Sequence, residues 1–174
     1  MAVIGIFCSS KAGLSARYEE ASRQLGEWMA QNGHTLLYGG SRCGLMHTVS
    51  HAAKAAGGRI YGAVPDALVS RGLVSDELDV EFRCAGLSDR KEIFLREADV
   101  FVALPGGIGT LDEVFTVAAG ATIGEHNKRV FLYNVAGCWD TLWEALLRMQ
   151  REGLIAPEAS THIQLITSPD EITF

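Results

Sequence analysis

Short, almost unbroken apolar runs alternate along this chain with longer amphipathic ones. The short runs are residues 3–8, 35–38, 59–64, 79–82, 100–104 and 130–134, and 163–166 is a candidate for one more. A strand with one face in water alternates polar and apolar residues. A continuous apolar run suits a strand covered on both faces, as in a parallel sheet. The longer segments, 15–31, 44–56, 88–97, 110–124 and 139–152, have helical length and period. Gly33, Gly57 and Gly58 stand where such helices would be capped. Strand–helix alternation implies right-handed βαβ units. The expected fold class is α/β: one Rossmann-like, doubly wound, mostly parallel sheet, with helices on both faces and residues 1–174 as one domain. Residues 65–75 are less regular and are read as a loop or short helix; the tail, 156–174, is also weakly patterned.

Bulk properties exclude several function classes. The 174 residues are 48% apolar and 21% charged, a soluble globular balance. A net charge of −6 argues against nucleic acid as the main partner, because such proteins usually carry a basic face. A small anion is still admissible, since a few local donors hold a phosphate. The four cysteines, Cys8, Cys43, Cys84 and Cys138, are scattered without a C-x-x-C pair. They read as free thiols in a reducing compartment. The apolar run 2–7 has no basic residues before it and is too short for a leader or a membrane span. The expectation is a cytoplasmic protein with neither membrane nor nucleic acid as partner.

In doubly wound sheets, ligands bind outside the carboxyl ends of the strands. Three glycine-bearing turns fall there: Cys8-Ser9-Ser10 with Gly13, then Gly39-Gly40-Ser41-Arg42-Cys43-Gly44, then Pro105-Gly106-Gly107-Ile108-Gly109-Thr110. In the last, proline ends the strand and the glycines permit turns and close ligand approach. A helix follows at once, and its unpaired amides and dipole favour an anion. Loop amides and the Thr110 hydroxyl together make a phosphate cradle. It is neither a Walker A loop nor the G-x-G-x-x-G dinucleotide fingerprint. A bland reading stays open: a tight turn with no ligand, in which Thr110 and Glu113 form a capping box. Three glycines in so short a stretch exceed what a cap needs, so ligand binding is favoured for the loop.

Other residues carry weaker signals. On a helix Arg90 shares a face with Ile93, Phe94 and Glu97. An arginine on a partly apolar face needs a partner. That partner is Glu97 or Glu113, or else a ligand. Asp112 points about 100° away from Glu113 on a helix, so the two are not a facing dyad; Asp112 reads as a first-turn acid favoured by the dipole. His47 and His51 have the spacing of two zinc ligands but lack a third, so no metal site is expected. Lys91 is read as a solvated helix residue or an ion-pair partner. Trp139 and Trp143 are read as packing residues.

The stretch Pro105-Gly106-Gly107-Ile108-Gly109-Thr110-Leu111-Asp112-Glu113 resembles the P-G-G-x-G-T-x-x-E motif of the LOG (Lonely Guy) family. Its members are cytokinin riboside 5′-monophosphate phosphoribohydrolases, often mislabelled as lysine decarboxylases. Arg90-Lys91 resembles the family's second motif, and Tyr38-Gly39-Gly40 with Gly44-Leu45-Met46 its tyrosine–glycine turn. Departures stand at Ser41, His47, Leu87-Ser88, Phe94 and the stretch after Glu113, around the expected base pocket. The resemblance implies hydrolysis of the N-glycosidic bond of a purine nucleoside 5′-monophosphate, AMP or an N6-substituted relative. Glu113 and Arg90 would be catalytic. Gly106, Gly107, Gly109, Thr110, Gly39, Gly40, Ser9 and Lys91 would bind substrate and phosphate. No metal or other cofactor is called for. The family also implies a homodimer, with segments 44–56 and 110–124 as candidate surfaces. The alternative is a non-catalytic nucleotide- or molybdenum-cofactor-binding carrier of the same fold. A lysine decarboxylase is disfavoured, because no lysine lies in a recognisable pyridoxal-phosphate context.

Overall fold

A computed structural model describes residues 1–157 and 159–174. The strands are β1 (Val3–Phe7), β2 (Thr35–Tyr38), β3 (Arg59–Pro65), β4 (Val80–Cys84), β5 (Val100–Ala103), β6 (Val130–Tyr133) and β7 (Ile163–Ile166). The helices are α1 (Ala16–Gln31), α2 (Gly44–Ala55), α3 (Asp66–Ser70), α4 (Leu87–Glu97), α5 (Ile108–Thr122) and α6 (Asp140–Arg151). The strands form one seven-stranded sheet in the order β4-β3-β2-β1-β5-β6-β7. Every ladder in it is parallel; Ile4, for example, lies between Leu36 and Val100.

The unbroken apolar runs are explained by two cores. Ile4, Ile6, Leu36, Tyr38, Val100, Val102, Phe131 and Tyr133 point to one face of the sheet. There Leu25 and Met29 of α1, Leu45 and Val49 of α2, and Ile172 of the tail cover them. Their neighbours Phe7, Leu37, Phe101, Ala103, Val130 and Leu132 point to the other face. Ile93 and Phe94 of α4, Val114 and Val117 of α5, and Trp139 before α6 cover those. Each fully buried side chain of this size contributes about 1.5–3 kcal/mol, so both faces had to be apolar.

The chain winds outward from β1 to β4, crosses back through α4, then winds outward the other way from β5 to β7. The winding reverses between β1 and β5, where the following loops part and leave a crevice. The irregular segment after β3 holds the short α3 and a strap over the end of β2. The strap is fixed by Arg42 N donating to Leu73 O (3.0 Å) and Ser75 N to Gly40 O (2.8 Å).

Two local expectations are corrected. β4 runs to Cys84 and excludes Asp79, whose carboxylate instead accepts from Ile60 N at 2.8 Å. Gly33 and Gly57 take left-handed φ just past α1 and α2, as caps do; Gly58 does not, and is no cap. A Cβ on Gly58 would lie 2.8 Å from Ala53 O, so its role is close approach to α2. Among the described residues, no helix is long and apolar enough to cross a membrane.

Candidate active site

The crevice is framed by the ends of β1 and β5. Past β1 the turn Cys8-Ser9-Ser10-Lys11 is tied down on both sides. Ser9 N donates to Pro105 O (3.1 Å), and Leu45 N of α2 donates to Ser9 O (3.0 Å). Past β5, Gly107 is the residue that caps α5. α5 starts at Ile108, two residues before the expected Thr110, so Thr110 is already helical and makes no side-chain cap. The capping-box reading of Thr110 and Glu113 is therefore wrong. A buried Thr110 packs instead over Gly106, where an added Cβ would lie 2.1 Å from its Oγ1.

The glycines of this loop are needed for room and not for unusual dihedrals. None of Gly106, Gly107 and Gly109 has a left-handed φ. A Cβ on Gly107 or Gly109 would meet no atom within 4 Å. These two positions open onto the cleft beside the free amides of the helix start.

The earlier start of α5 moves the two acids into its second turn. Glu113 faces inward and is 8% exposed. Its Oε1 lies 3.5 Å from Nη2 of Arg90, on α4. Burial pushes the Glu113 carboxyl up to about 7, and the nearby Arg90 offsets only part of that. Arg90 is confined on three sides: by Glu113, by the Phe94 ring 5.8 Å away, and by Gly39. A Cβ on Gly39 would fall 1.9 Å from Arg90 Nη2. The buried Nε of Arg90 has no hydrogen-bond partner among the described residues. The alternative partner, Glu97, pairs with Arg96 (2.7 Å).

Asp112 is corrected too. No acid lies in the first turn of α5, and Asp112 pairs with Lys91 Nζ at 3.1 Å. Two ion pairs thus join α4 to α5, one buried and one near solvent. Cys8 lies beneath the buried one, and burial pushes its thiol up so that it stays neutral.

Together these groups line a cleft of about 490 Å³. Ser9, Arg90, Lys91, Gly107, Gly109, Thr110 and Glu113 all line it. Gly39, Gly40 and Gly106 sit behind its wall: Gly39 seats Arg90, Gly40 packs on Val64, and Gly106 lies under Thr110. Met46, Leu87 and Ile108, which the sequence motifs brought in without a stated role, also line the cleft, and so does Lys11, which sequence reasoning missed. Lys11 was findable, because it follows Ser9 in a glycine-bearing turn at a strand end. Leu87 (65% exposed) and Ile108 (83%) form an apolar rim that only the fold brings together.

The paired histidines and tryptophans have structural contacts. The His47 and His51 rings stack at 5.4 Å, and His51 Nδ1 contacts Glu77 Oε1 at 2.6 Å. Among the described residues, no group of three or more His, Cys, Asp or Glu could hold a metal. Trp139 is core, its Nε1 donating to Ala103 O at 3.2 Å, and Trp143 packs on the same cluster.

A protein-family profile described as "Possible lysine decarboxylase" matches residues 46–173. The chain is 40% identical over 155 residues to the "Probable cytokinin riboside 5'-monophosphate phosphoribohydrolase LOGL5" of Oryza sativa subsp. japonica. It is 37% identical over 156 residues to the "Cytokinin riboside 5'-monophosphate phosphoribohydrolase LOG7" of Arabidopsis thaliana. The chain belongs to the LOG family.

These alignments cover 88% and 90% of this LOG-family chain, which spans 63% and 72% of the two relatives' own lengths. Among solved structures, it is similar to the molybdenum cofactor binding protein from Rippkaea orientalis. The identity there is 25%, the TM-score 0.74, and the match covers 97% of this chain and 91% of the other. The α/β fold expected from the strand–helix alternation is the fold observed.

Proposed function

We propose that this protein hydrolyses the N-glycosidic bond of a purine nucleoside 5′-monophosphate, AMP or an N6-substituted AMP. The products are the free base and ribose 5-phosphate. The observation that carries the reading is the buried Arg90–Glu113 pair beside a glycine loop with open amides, in one cleft. The relatives' printed names point to the same chemistry.

In this reading the 5′-phosphate sits on the amides of Gly107–Thr110, with Ser9 and Lys11 beside it. Anchoring there brings the ribose to Glu113. As the C1′–N bond breaks, the ring gains oxocarbenium character and its electron pair leaves with the base. Ionised Glu113 stabilises the cation and takes a proton from the attacking water, whose oxygen bonds to C1′. The departing base takes one proton in turn, and Arg90 faces its developing negative charge. A carboxyl that titrates at about 7 is matched to proton transfer near neutrality. The chemistry is charge stabilisation and proton transfer, and calls on no metal or redox cofactor.

The family description names a lysine decarboxylase, which would need pyridoxal phosphate on a neutral lysine. The lysines of the cleft do not fit that group: Lys91 is paired with Asp112, and Lys11 is exposed. A homodimer in the cytoplasm completes the reading. Ile108 and Phe115 on α5 and Ile123 just past it leave exposed apolar surface for a second copy, which light scattering would detect.

The test is incubation with AMP and N6-isopentenyl-AMP, followed by chromatography for free base. Base release is expected, and Glu113→Gln and Arg90→Ala should each lower it by about a hundredfold or more. A carrier is the second reading, favoured by the likeness to the Rippkaea orientalis protein. Tight ligand retention with no base released from either nucleotide would establish the carrier instead.

A further inference from the structure

A second cavity, of about 350 Å³, opens on the other side of the glycine loop. It shares Ser9, Lys11 and Gly107 with the cleft. Pro105 and Gly106 of the same loop also line it, and its other walls come from elements that the cleft does not use. Leu14 precedes α1, Tyr18 lies in its first turn, and Cys138 and Trp139 follow β6. The two volumes are lobes on either side of one narrow strip.

The strip is suited to an anion. Lys11 is exposed and makes no ion pair among the described residues, so its ammonium is available between the lobes. Gly107 presents no side chain there, since a Cβ on it would meet nothing within 4 Å. The far lobe has a different character. The Trp139 ring is held in place by its bond to Ala103 O. Asn134 braces the loop before it, accepting from Trp139 N (2.9 Å) and donating to Asp140 Oδ1 (2.7 Å). That loop also holds Ala136, the non-glycine residue with left-handed φ (52°) among the described ones. Such a conformation persists only where surrounding structure imposes it.

A nucleoside monophosphate needs only the cleft, whose volume already falls in the range of small-ligand sites. An aromatic, apolar lobe entered past a lysine suits a ring joined to the anion on the strip. We infer that this site takes nucleotides extended at the 5′-phosphate. The linking pyrophosphate lies along Ser9, Lys11 and Gly107, and the distal ring packs between Tyr18 and Trp139. The inference rests on the proposed reading of the cleft, which sets the 5′-phosphate at the glycine loop.

Calorimetry with AMP, ADP and diadenosine diphosphate tests it. ADP controls for the second phosphate alone. Diadenosine diphosphate should bind about tenfold or more tightly than ADP, from stacking of its second ring. Tyr18→Ala should remove that advantage while moving ADP affinity less than about threefold. A measurement on the unmodified protein supports this without any variant. Cys138 lines the far lobe, and burial holds its thiol up at about 11. Slow alkylation at alkaline pH, read by mass spectrometry, should be blocked at Cys138 by diadenosine diphosphate and not by AMP. If AMP binds but the dinucleotide binds no tighter than ADP, the inference falls and the cleft reading stands. If neither AMP nor the dinucleotide binds, both fall.

Discussion

At the end of β2, a methyl placed on Gly39 would sit 1.9 Å from Arg90; near the start of α5, one placed on Gly109 would touch nothing within 4 Å. Both glycines belong to turns at strand ends, and in the sequence the two turns look alike. The first keeps room for a side chain of the protein itself, and so sets where Arg90 lies against Glu113. The second leaves open space on the cleft side, next to unpaired helix amides. A glycine-rich turn at the carboxyl edge of a parallel sheet is therefore not by itself a ligand contact. What separates the two uses is whether protein already occupies the space.

The largest effect should come from filling the first turn. In Gly39→Ala the guanidinium must leave its seat, because the added methyl and Arg90 Nη2 cannot share that space. Glu113 then loses its charge partner. Base release should fall by about a hundredfold, the usual result of misplacing a catalytic group by an ångström. The end of a long side chain can move at modest cost, so stability should fall by only about 1–2 kcal/mol. Near-wild-type activity in this variant would show that Arg90 does not need Gly39, and the contrast between the turns would collapse.

The pair that Gly39 holds in place has a pH signature. Glu113 titrates at about 7 in the fold, against 4.5 for an ordinary glutamate. Between those values the folded chain holds a proton that the unfolded chain has lost. Stability from this group is therefore present at low pH and falls as pH rises from 4.5 through 7. The loss amounts to about 3 kcal/mol at most. Activity should run the other way, rising with pH to a midpoint near 7, because the proposed mechanism uses the ionised carboxylate. Urea unfolding at pH 5 and pH 8 should show the stability loss in the wild type and not in Glu113→Gln. An equal loss in both proteins would place the titration elsewhere.

Much of this was legible in the sequence because the physics that produces it is local. Unbroken runs such as Val100–Ala103 imply strands covered on both faces, and all seven proposed strands are present. A proline and three glycines at the start of an apolar helix marked the loop that the proposed function gives to phosphate. The misses share a cause in geometry that only the assembled fold supplies. The Thr110–Glu113 spacing fits a capping box, but α5 starts at Ile108 and turns both side chains inward. Asp112 was assigned to the helix dipole because its partner Lys91 lies on another helix. The seat that Gly39 gives to Arg90 was also invisible, because nothing in its neighbours reveals that a side chain fifty-one positions on fills the space beside it.

Filling the second turn should have the smallest effect on the fold, and of opposite sign. Gly109 is the second residue of α5 and has an ordinary helical environment with no left-handed φ. Alanine there reduces the freedom of the unfolded chain and suits a helix, so Gly109→Ala should gain about 0.5 kcal/mol in stability. The new methyl enters the cleft, where the phosphate is proposed to approach the helix amides. KM for AMP should rise about tenfold with little change in kcat, since binding is lost equally in the ground and transition states. A single substitution that raises the melting temperature while weakening the substrate is a result that a purely structural turn cannot give. A variant that melts higher and keeps its KM would mean that the open space beside Gly109 holds no ligand.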